Sequence, residues 1–374
     1  MDKHLHIISL TVPYPVSYGG VFDIFYKIVA LHAQGVKIHL HCFSETNTTQ
    51  PVLNKYCEHV YYYPRKTGWR GFSFSRPYIV SSRVSRILVQ RLLEDDRPVL
   101  LEGIHCSSLL FESDLYKRRM ILRLHNVEYR YYAGLFAASS PVIKKLYYLW
   151  ESTLLKKYER KVAATPISIV AVSEADATTY REEFGAADVH ALPVFMGNKK
   201  VTSKTGTGDY CFYHGNLSVA ENELAVRWLL DEITGNGDIP FIIAGKKPSA
   251  ALKDKIQSHR NCSLISDPSD QELAQLLANA QCHVLPSFNS TGVKLKLIQA
   301  LFAGRHSIVN HAAVSGTALQ TACIVANDAH AFKDAVKKYF AVPFTENDLR
   351  SRATLLERVY NDRENCNRLI RLIW

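Results

Sequence analysis

One arrangement of elements occurs twice along the chain and restricts the fold more than any other feature. Each half begins with a short apolar strand, continues through a glycine-containing loop and enters an amphipathic helix. The strand and loop occupy 6–10 and 13–20 in the first half, and 210–213 and 214–222 in the second. Apolar residues in both helices recur at i, i+3, i+4 and i+7, which is helical spacing. The sequence therefore predicts two domains of related architecture.

Strands and helices go on alternating through both halves. This alternation is typical of parallel sheets, and ligands of such domains bind at the carboxyl ends of the strands. We predict an α/β protein with two Rossmann-like, doubly wound parallel-sheet domains that face a central cleft. The further strand-like segments are 36–42, 99–101, 120–124, 167–172, 241–244, 263–265, 283–285 and 307–309.

The length of 374 residues is too great for one ordinary domain of this kind and suits two. The stretch 196–209 is rich in Gly, Ser, Thr and Lys and has no apolar periodicity, which is typical of a linker. We therefore predict a first domain at 1–196, a linker at 197–208 and a second domain at 209–350.

The apolar runs and the cysteine spacing indicate the cellular compartment of the protein. No run approaches 18 apolar residues, and residues 1–16 lack the pattern of a signal peptide. The eight cysteines are scattered singly, which is typical of free thiols in a reducing compartment. We expect a cytoplasmic protein. His39 and His41 would share one face of a strand, and a half-buried strand pair is favoured there over a metal site.

Glycines mark both loops as candidate ligand contacts. Gly19 and Gly20 let backbone N–H groups approach a ligand before a helix begins. Their loop matches neither the G-x-G-x-x-G fingerprint nor a P-loop, and a tight turn is the alternative interpretation. Gly215 and Asn216 would present N–H groups to a phosphate, with Asn222 as the N-cap of the following helix.

Two lysines make the segment 285–310 the most informative of the chain. A polar loop with Gly292 leads there into a helix. Lys294 and Lys296 would lie at the N-terminal end of that helix, where the helix dipole disfavours cations. A diphosphate shared by the two lysines explains their position, and two solvated lysines are the alternative.

Six segments together resemble GT-B nucleotide-sugar glycosyltransferases, particularly glycosyltransferase family 4 of the bacterial polysaccharide and lipopolysaccharide type. The resemblance covers nearly the whole chain, and the order and spacing of the segments carry it. The segments are PYPVSYGG (P-x-P-x-x-x-G-G), RLHNVEYRYY (R-x-H-N-x-E-x-x-Y), VAVSEAD (V-S-E-x-D), YHGNLSVAEN, FIIAGKKPS (I-x-G-x-x-P) and GVKLKLIQALFAG (G-x-R-x-K-x-x-E-A-x-x-x-G).

The resemblance implies that the two domains bind different substrates. The second domain would bind a nucleoside diphosphate sugar, the first would bind the acceptor, and a last helix at about 351–374 would cross back onto the first. It also implies retention of anomeric configuration without a metal or other cofactor. The donor residues would be His214, Gly215, Asn216, Lys246, Thr291, Gly292 and Gln299. The acceptor residues would be Tyr14, Gly19, Gly20 and Asn126.

This sequence departs from the family at an E-x7-E pair whose second Glu holds the ribose. The matching positions are Thr291 and Gln299. Gln still forms hydrogen bonds with ribose, although as a neutral group it binds less strongly than a carboxylate. The Arg/Lys pair that follows the first donor-domain strand in many members is also missing. Lys294, Lys296 and Lys246 would then be the phosphate cations.

The first half holds the other catalytic candidates. By resemblance, His125 matches the family's cleft histidine near the transferred sugar, with a structural histidine as the alternative. Glu102 follows a strand-like run and would be the base if the enzyme inverted, with a strand-end ion pair as the alternative. Glu128 is expected to pair with a nearby Arg.

Most of the net charge of +10 lies in residues 1–203, which hold 26 basic and 18 acidic side chains. Two segments mix cations with aromatic residues, as interfacial helices do at anionic lipid. We therefore predict an anionic membrane surface as a partner, with a solvated face as the alternative. No nucleic-acid motif is present, and no nucleic acid is predicted. The cations are Arg65, Lys66, Arg70, Arg76, Arg83, Arg86 and Arg91, and then Lys144, Lys145, Lys156, Lys157, Arg160 and Lys161.

These features together predict a metal-independent glycosyltransferase of hexosyltransferase type, acting on a glycan or lipid-linked acceptor in cell-surface polysaccharide biosynthesis. A nucleotide-sugar 2-epimerase of the same fold is one alternative. A non-catalytic partner protein that binds sugar nucleotides is the other.

Overall fold

A seven-stranded sheet organises the first half of the chain. Its strand order is β3-β2-β1-β4-β5-β6-β7, and all its pairs are parallel. The computed structural model describes residues 2–16, 19–46, 48–115, 117–139, 141–235 and 237–374. The strands are β1 (His4–Ser9), β2 (Lys37–Ser44), β3 (His59–Pro64), β4 (Val99–Glu102), β5 (Met120–Leu124), β6 (Ser168–Ala171) and β7 (Val189–Ala191).

A six-stranded parallel sheet organises the second half, in the order β10-β9-β8-β11-β12-β13. In both sheets the strand order reverses beside the first strand of the domain, which is where doubly wound domains bind ligands. The predicted fold class is thus confirmed. The strands are β8 (Cys211–Asn216), β9 (Phe241–Lys246), β10 (Cys262–Ser266), β11 (Cys282–Val284), β12 (His306–Val309) and β13 (Ile324–Val325).

Helices connect most of the strands. In the first half they are α1 (Gly19–Ala33), α2 (Tyr78–Ser81), α3 (Arg86–Leu92), α4 (Glu128–Ala138), α5 (Val142–Ala163) and α6 (Glu174–Thr178). In the second half they are α7 (Ala220–Trp228), α8 (Ala250–Gln257), α9 (Asp270–Asn279), α10 (Leu295–Ala303), α11 (His311–Val314), α12 (Ala329–Phe340), α13 (Glu346–Val359) and α14 (Asp362–Ile373). Short 3₁₀ segments lie at Pro51–Lys55, Gly68–Gly71, Ile104–Phe111, Ser113–Leu115 and Gln320–Ala322, and π-type turns extend α6 and α7 over Thr179–Glu183 and Leu229–Thr234. None of the helices in the described ranges has the length and apolar character needed to span a bilayer.

Two hydrophobic cores form, and the C-terminal helices divide between them. Leu356 of α13 packs into the second core, whereas Leu369 and Ile373 of α14 pack into the first. The predicted single last helix at 351–374 is therefore two helices. The cause is Asn361, whose side chain accepts a hydrogen bond from the N–H of Glu364 and so caps a new helix.

The chain crosses between the cores twice, and Asp362 joins the two crossings. Its carboxylate accepts hydrogen bonds from the N–H groups of Met196 at 2.8 Å and Asn198 at 2.9 Å. The outgoing and returning segments therefore lie side by side at one edge of the molecule.

Five histidines line one face of the first sheet. The ring of His4 is 3.0 Å from that of His39, and the ring of His6 is 2.8 Å from that of His41. The ring of His59 packs beside that of His39. His39 and His41 thus each face a histidine of β1.

Candidate active site

The carboxyl ends of the strands in both sheets face a shared cleft, and its donor-side cavity has a volume of about 440 Å³. Asn126 and Tyr131 of the first domain also line this cavity, which therefore lies between the domains. The predicted donor residues that line it are His214, Gly215, Asn216, Lys246, Thr291, Lys294, Lys296 and Gln299.

Lys296 lies in the first turn of α10, in the wall of this cavity. Its ammonium group donates hydrogen bonds to the Tyr213 hydroxyl at 2.9 Å and to Asn222 Oδ1 at 3.0 Å. Both partners are neutral, and burial lowers the pKa of Lys296 to about 8. Among the described residues its hydrogen-bond partners are neutral oxygens, and the charge of Glu221 only partly offsets the effect of burial. An anion in the cavity would therefore stabilise the ammonium group.

Lys294 is the residue just before α10. Its ammonium group donates to the Thr291 carbonyl at 2.9 Å, and a carboxylate oxygen of Glu221 is 3.9 Å away. Burial lowers the pKa of Lys294. The two lysines and the amino end of α10 therefore concentrate positive potential at one wall of the donor cavity.

Asn222 is not the N-cap predicted from the sequence. The strand β8 continues to Asn216, and α7 begins at Ala220 after the N-cap residue Val219. The Asn222 amide instead donates to the Asn216 carbonyl at 2.9 Å while its oxygen accepts from Lys296. Asn222 thus holds the loop that follows β8, which was predicted to bind phosphate, and orients Lys296.

Gln299 and Thr291 occupy the positions where the family resemblance would place two glutamates. Nε2 of His214 is 3.4 Å from Oε1 of Gln299, and the His214 ring stacks on Phe212. The Thr291 hydroxyl donates to Asn289 Oδ1 at 2.9 Å. Burial lowers the pKa of His214 to about 4, so His214 is a neutral partner that fixes the Gln299 amide.

Glu102 lies outside the cleft, contrary to its predicted role as a base. It is completely buried and forms a 2.9 Å ion pair with Lys27. The Lys27 and His125 groups hold the pKa of this carboxyl below its usual range against the effect of burial. The alternative of a strand-end ion pair is what the structure contains.

His125 reaches the cleft, but both ring nitrogens face carboxylates. Nε2 is 3.1 Å from Glu102, and Nδ1 is 3.8 Å from Asp23. Atoms of Asp23, Glu102 and His125 lie within 4.8 Å of one another, as ligands of a metal would. However, Lys27 and Arg123 already pair with the carboxylates. We interpret this cluster as a charge network that positions His125.

A second cavity of about 440 Å³ continues the cleft on the acceptor side. It shares Asn126 and Tyr131 with the donor cavity and is also lined by Gly20 and Glu128. Burial raises the pKa of Glu128 to about 7, opposed by a hydrogen bond with the Asn126 side chain and by the charge of Arg83. The predicted Arg partner is therefore a neighbour in this cavity, and sequence reasoning missed the position of Glu128 at the cleft.

Tyr14 and Gly19 contribute less than predicted. Tyr14 packs against Phe25 and lines a separate cavity with Thr11 and Gln50, not the shared cleft. Gly19 is the first residue of α1. Residues 17 and 18 of the predicted loop lie outside the described residues.

Gly292 joins the two domains across the cleft. Its N–H donates to the Asp176 carboxylate at 3.2 Å, and its φ is +64°. A Cβ atom there would lie 2.0 Å from Asn126 Oδ1, so glycine alone fits this approach. The N–H of Glu174 donates to the Gly316 carbonyl at 3.0 Å, which adds a second contact between the domains. Asp176 lies in the VSEAD segment, although the sequence did not indicate this role.

Solved structures resemble this chain over nearly its full length. A glycosyltransferase from Rickettsia africae ESF-5 has a TM-score of 0.66 at 12% identity, over 100% of this chain and 98% of that one. TarM of S. aureus, in complex with Fondaparinux, alpha-GlcNAc-glycerol and UDP, has a TM-score of 0.69 at 9% identity, over 99% of both chains. HepE of Anabaena, in complex with UDP, has a TM-score of 0.64 at 10% identity, over 99% and 98%. The chain has the GT-B fold.

Comparison of the amino-acid sequence with known families and proteins gives two further similarities. Residues 208–341 match the family model described as Glycosyl transferases group 1, which spans most of the second domain. A Klebsiella pneumoniae protein described as an uncharacterized 44.6 kDa protein in the cps region is 27% identical over 312 residues, 79% of either chain. The second domain is thus similar to a group 1 glycosyl transferase domain, within a chain that has the GT-B fold.

Proposed function

We propose that the protein transfers a sugar from a nucleoside diphosphate sugar to a glycan or lipid-linked acceptor, without a metal and with retention of configuration. The observation that carries this proposal is the pair Lys294 and Lys296. Both are largely withdrawn from solvent at the amino end of α10, in the wall of an interdomain cavity, and desolvation lowers the pKa of each. Neighbours that bind UDP and glycans, such as HepE and TarM, support a donor of this class.

Charge on the leaving group gives the lysines their role. When the bond from the sugar to the diphosphate breaks, negative charge increases on the departing phosphate oxygens. Lys294, Lys296 and the N–H groups at the start of α10 would stabilise that charge more in the transition state than in the ground state. The departing phosphate would take the proton of the acceptor hydroxyl, as the family resemblance implies.

Gln299 and His214 would hold the nucleoside side of the donor. The Gln299 amide is fixed by His214 and still has donor atoms and an acceptor lone pair for ribose hydroxyls. Asn126 and Tyr131 lie between the two cavities and would therefore contact the transferred sugar.

A thermal-shift panel of UDP, GDP, CMP and their common sugars tests the donor assignment, on wild type and on Lys296→Ala. A ligand at 100 times its Kd adds about 2.7 kcal/mol to the free energy of unfolding. We expect one nucleotide to stabilise wild type and to lose most of this effect in the variant. Stabilisation by none of them would contradict the proposal.

Turnover separates the proposed reaction from the two alternatives. Wild type should release the nucleoside diphosphate faster when an acceptor extract is present. An epimerase would isomerise the nucleotide sugar without any acceptor, and a binding protein would show no turnover with either.

The peripheral location that we propose, on the inner face of a membrane in the cytoplasm, rests on an exposed apolar face. Val142, Ile143, Trp69 and Phe74 are 70%, 84%, 90% and 77% exposed. Their elements adjoin, since the N–H of Tyr78, which follows the Trp69 segment, donates to Glu151 of α5. The nearby cations Arg70, Arg76, Lys144 and Lys145 complement anionic lipid, so this face suits such a surface.

Flotation with vesicles that contain anionic lipid tests the membrane face. Wild type should float at low salt and dissociate as salt rises. Ile143→Asp should float much less because it places a carboxylate in the apolar face, whereas Leu224→Asp on α7, also exposed but in the other domain, should float like wild type. Equal flotation of both variants would contradict the assigned face.

A further inference from the structure

Arg65 and Arg83 lie side by side in the acceptor-side cavity, and the proposed donor chemistry uses neither. Both guanidinium groups lie within hydrogen-bond distance of the same hydroxyl, Ser82 Oγ, at 3.4 Å from Arg65 and 3.3 Å from Arg83. Both side chains line the cavity that also contains His125 and Glu128. Two like charges held together at a half-buried site repel each other, so an anion between them would be stabilising.

Local contacts fix the positions of the two arginines. Arg83 is 6% exposed, and its guanidinium group donates to the carbonyls of Leu10 and Ile79, each at 2.7 Å. These carbonyl oxygens orient the group, and the charge of Arg83 also acts on Glu128 in the same cavity. Arg65 pairs with Glu45 at 2.5 Å, but the Glu45 side chain is 55% exposed. Solvent therefore screens the attraction between Arg65 and Glu45.

Two more side chains of the cavity are suited to an anion. Nδ1 of His105 is buried and has no hydrogen-bond partner among the described residues. Burial and the charge of Arg83 hold the pKa of His105 well below its usual range. Glu128 is the one carboxyl among the described residues that line the cavity, and burial raises its pKa to about 7. A bound anion would favour its protonated form, which donates a hydrogen bond.

We propose that this cavity binds an oxyanion of the acceptor, either a phosphate or a sugar carboxylate, and that Arg65 and Arg83 hold it. The proposal rests on the proposed function, since it names the class of acceptor. Asn126 and Tyr131 belong to both cavities, so an anion held by the arginines would leave the rest of the acceptor free to extend toward the donor sugar. The acceptor would then be an anionic glycan or a glycosyl phosphate rather than a neutral sugar.

Calorimetric titration tests the site with three probes: glucose 1-phosphate, methyl glucuronide and neutral methyl glucoside. The protein is first saturated with the nucleotide that stabilises it, which occupies the donor lysines. We expect one of the two anions to bind at least about tenfold more tightly than methyl glucoside. The phosphate and carboxylate probes separate the two sources of the anion.

Arg65→Gln is the decisive variant, because Arg83 holds the fold through backbone carbonyls. Arg65→Gln should weaken binding of the anion about tenfold, and Arg70→Gln, in the same segment but exposed and outside the cavity, should not. Equal binding of methyl glucoside and the anions, or an unchanged affinity in Arg65→Gln, would overturn the proposal.

A Lys296→Met background keeps the two proposals distinguishable. If no nucleotide binds, the donor assignment fails, but anions can still be titrated into this variant without competition from that lysine. Retained, Arg65-dependent binding supports the anion site by itself. Loss of anion binding in Lys296→Met would instead assign the anion to the donor cavity and overturn the site.

Discussion

Lys296 shows how a single side chain can indicate a missing ligand. The structure supplies Tyr213 and Asn222 as oxygen partners but no carboxylate within hydrogen-bond distance, among the residues that it describes. Burial then weakens the charged form and lowers the pKa of Lys296 to about 8. A residue placed for stability alone would gain from an acidic partner, so this arrangement favours a functional role.

Lys296→Ala should lower kcat by roughly a hundred- to a thousandfold, as removal of one charge-stabilising donor does. The free energy of unfolding should change little, because the variant also removes the cost of a buried ammonium group. Release of the nucleoside diphosphate at saturating donor and urea denaturation measure the two effects. Lys253→Ala, exposed on α8, is the matched control and should retain wild-type kcat. A full rate in Lys296→Ala would remove the residue from the mechanism.

Residue types at strand ends indicated one half of the site better than the other. Lys294, Lys296 and Gln299 could be found because they follow a strand end and start a helix, where ligands of parallel sheets bind. Glu102 also follows a strand, yet its carboxylate pairs with Lys27 of α1. The two residues are 75 positions apart, and no local pattern reveals such a partner.

The histidines on one face of β1, β2 and β3 should make the stability of the fold depend on pH. Burial, together with the charges of His6 and Arg97, lowers the pKa of His39 to about 4. Burial also lowers the pKa of His6, against Asp95, and that of His41. These side chains remain neutral in the folded sheet while the unfolded chain takes up protons below about pH 6.5. The fold should therefore lose stability as pH falls from about 6.5 toward 4.

His39→Gln should make this acid loss less steep, because the unfolded state then binds one proton fewer. The slope of the free energy of unfolding against pH should decrease by about 1.4 kcal/mol per pH unit between pH 4 and 6. Urea denaturation over this range measures it. His330→Gln, an exposed histidine on α12, is the control and should keep the wild-type slope. An unchanged slope in His39→Gln would mean that His39 is protonated in the folded state.

Elements differed in how well the sequence predicted them. β5 has the predicted limits of 120–124, because an apolar run marks it. β3 was missed because it lies at the sheet edge, where only Tyr63 is buried, and three of its six residues are tyrosines rather than aliphatic residues. β13 has two residues and depends on its pairing with β12, which the sequence does not reveal.

At the scale of the whole molecule, the domains meet through a few contacts that complete the site. The N–H of Gly292 donates to Asp176 beside the two lysines, and the side chain of Asn126 lies against it. We therefore expect closure of the cleft and assembly of the donor cavity to occur together.

Gly292→Ala should reduce kcat/KM at least about tenfold, because the added Cβ collides with Asn126 and holds the cleft open. Gly185→Ala is the matched control: its φ of +71° is similar, but nothing lies within 4 Å of its Cβ. The cost of about 1–2 kcal/mol for a positive φ is then common to both variants. Small-angle scattering with bound nucleotide should show a larger radius for Gly292→Ala only. A wild-type radius and rate in that variant would separate closure from this contact.

Asp362 has a further consequence for motion. Asp362 joins the segment that leaves the first domain at Met196 to α14, which returns to that domain. The interdomain connection therefore has two adjacent hinge points. Two domains joined by one connection can rotate in many directions. Two adjacent connections restrict them to rotation about a single hinge axis. Each opening would then release spent nucleotide, and each return swing would bring the same pair of faces back into register.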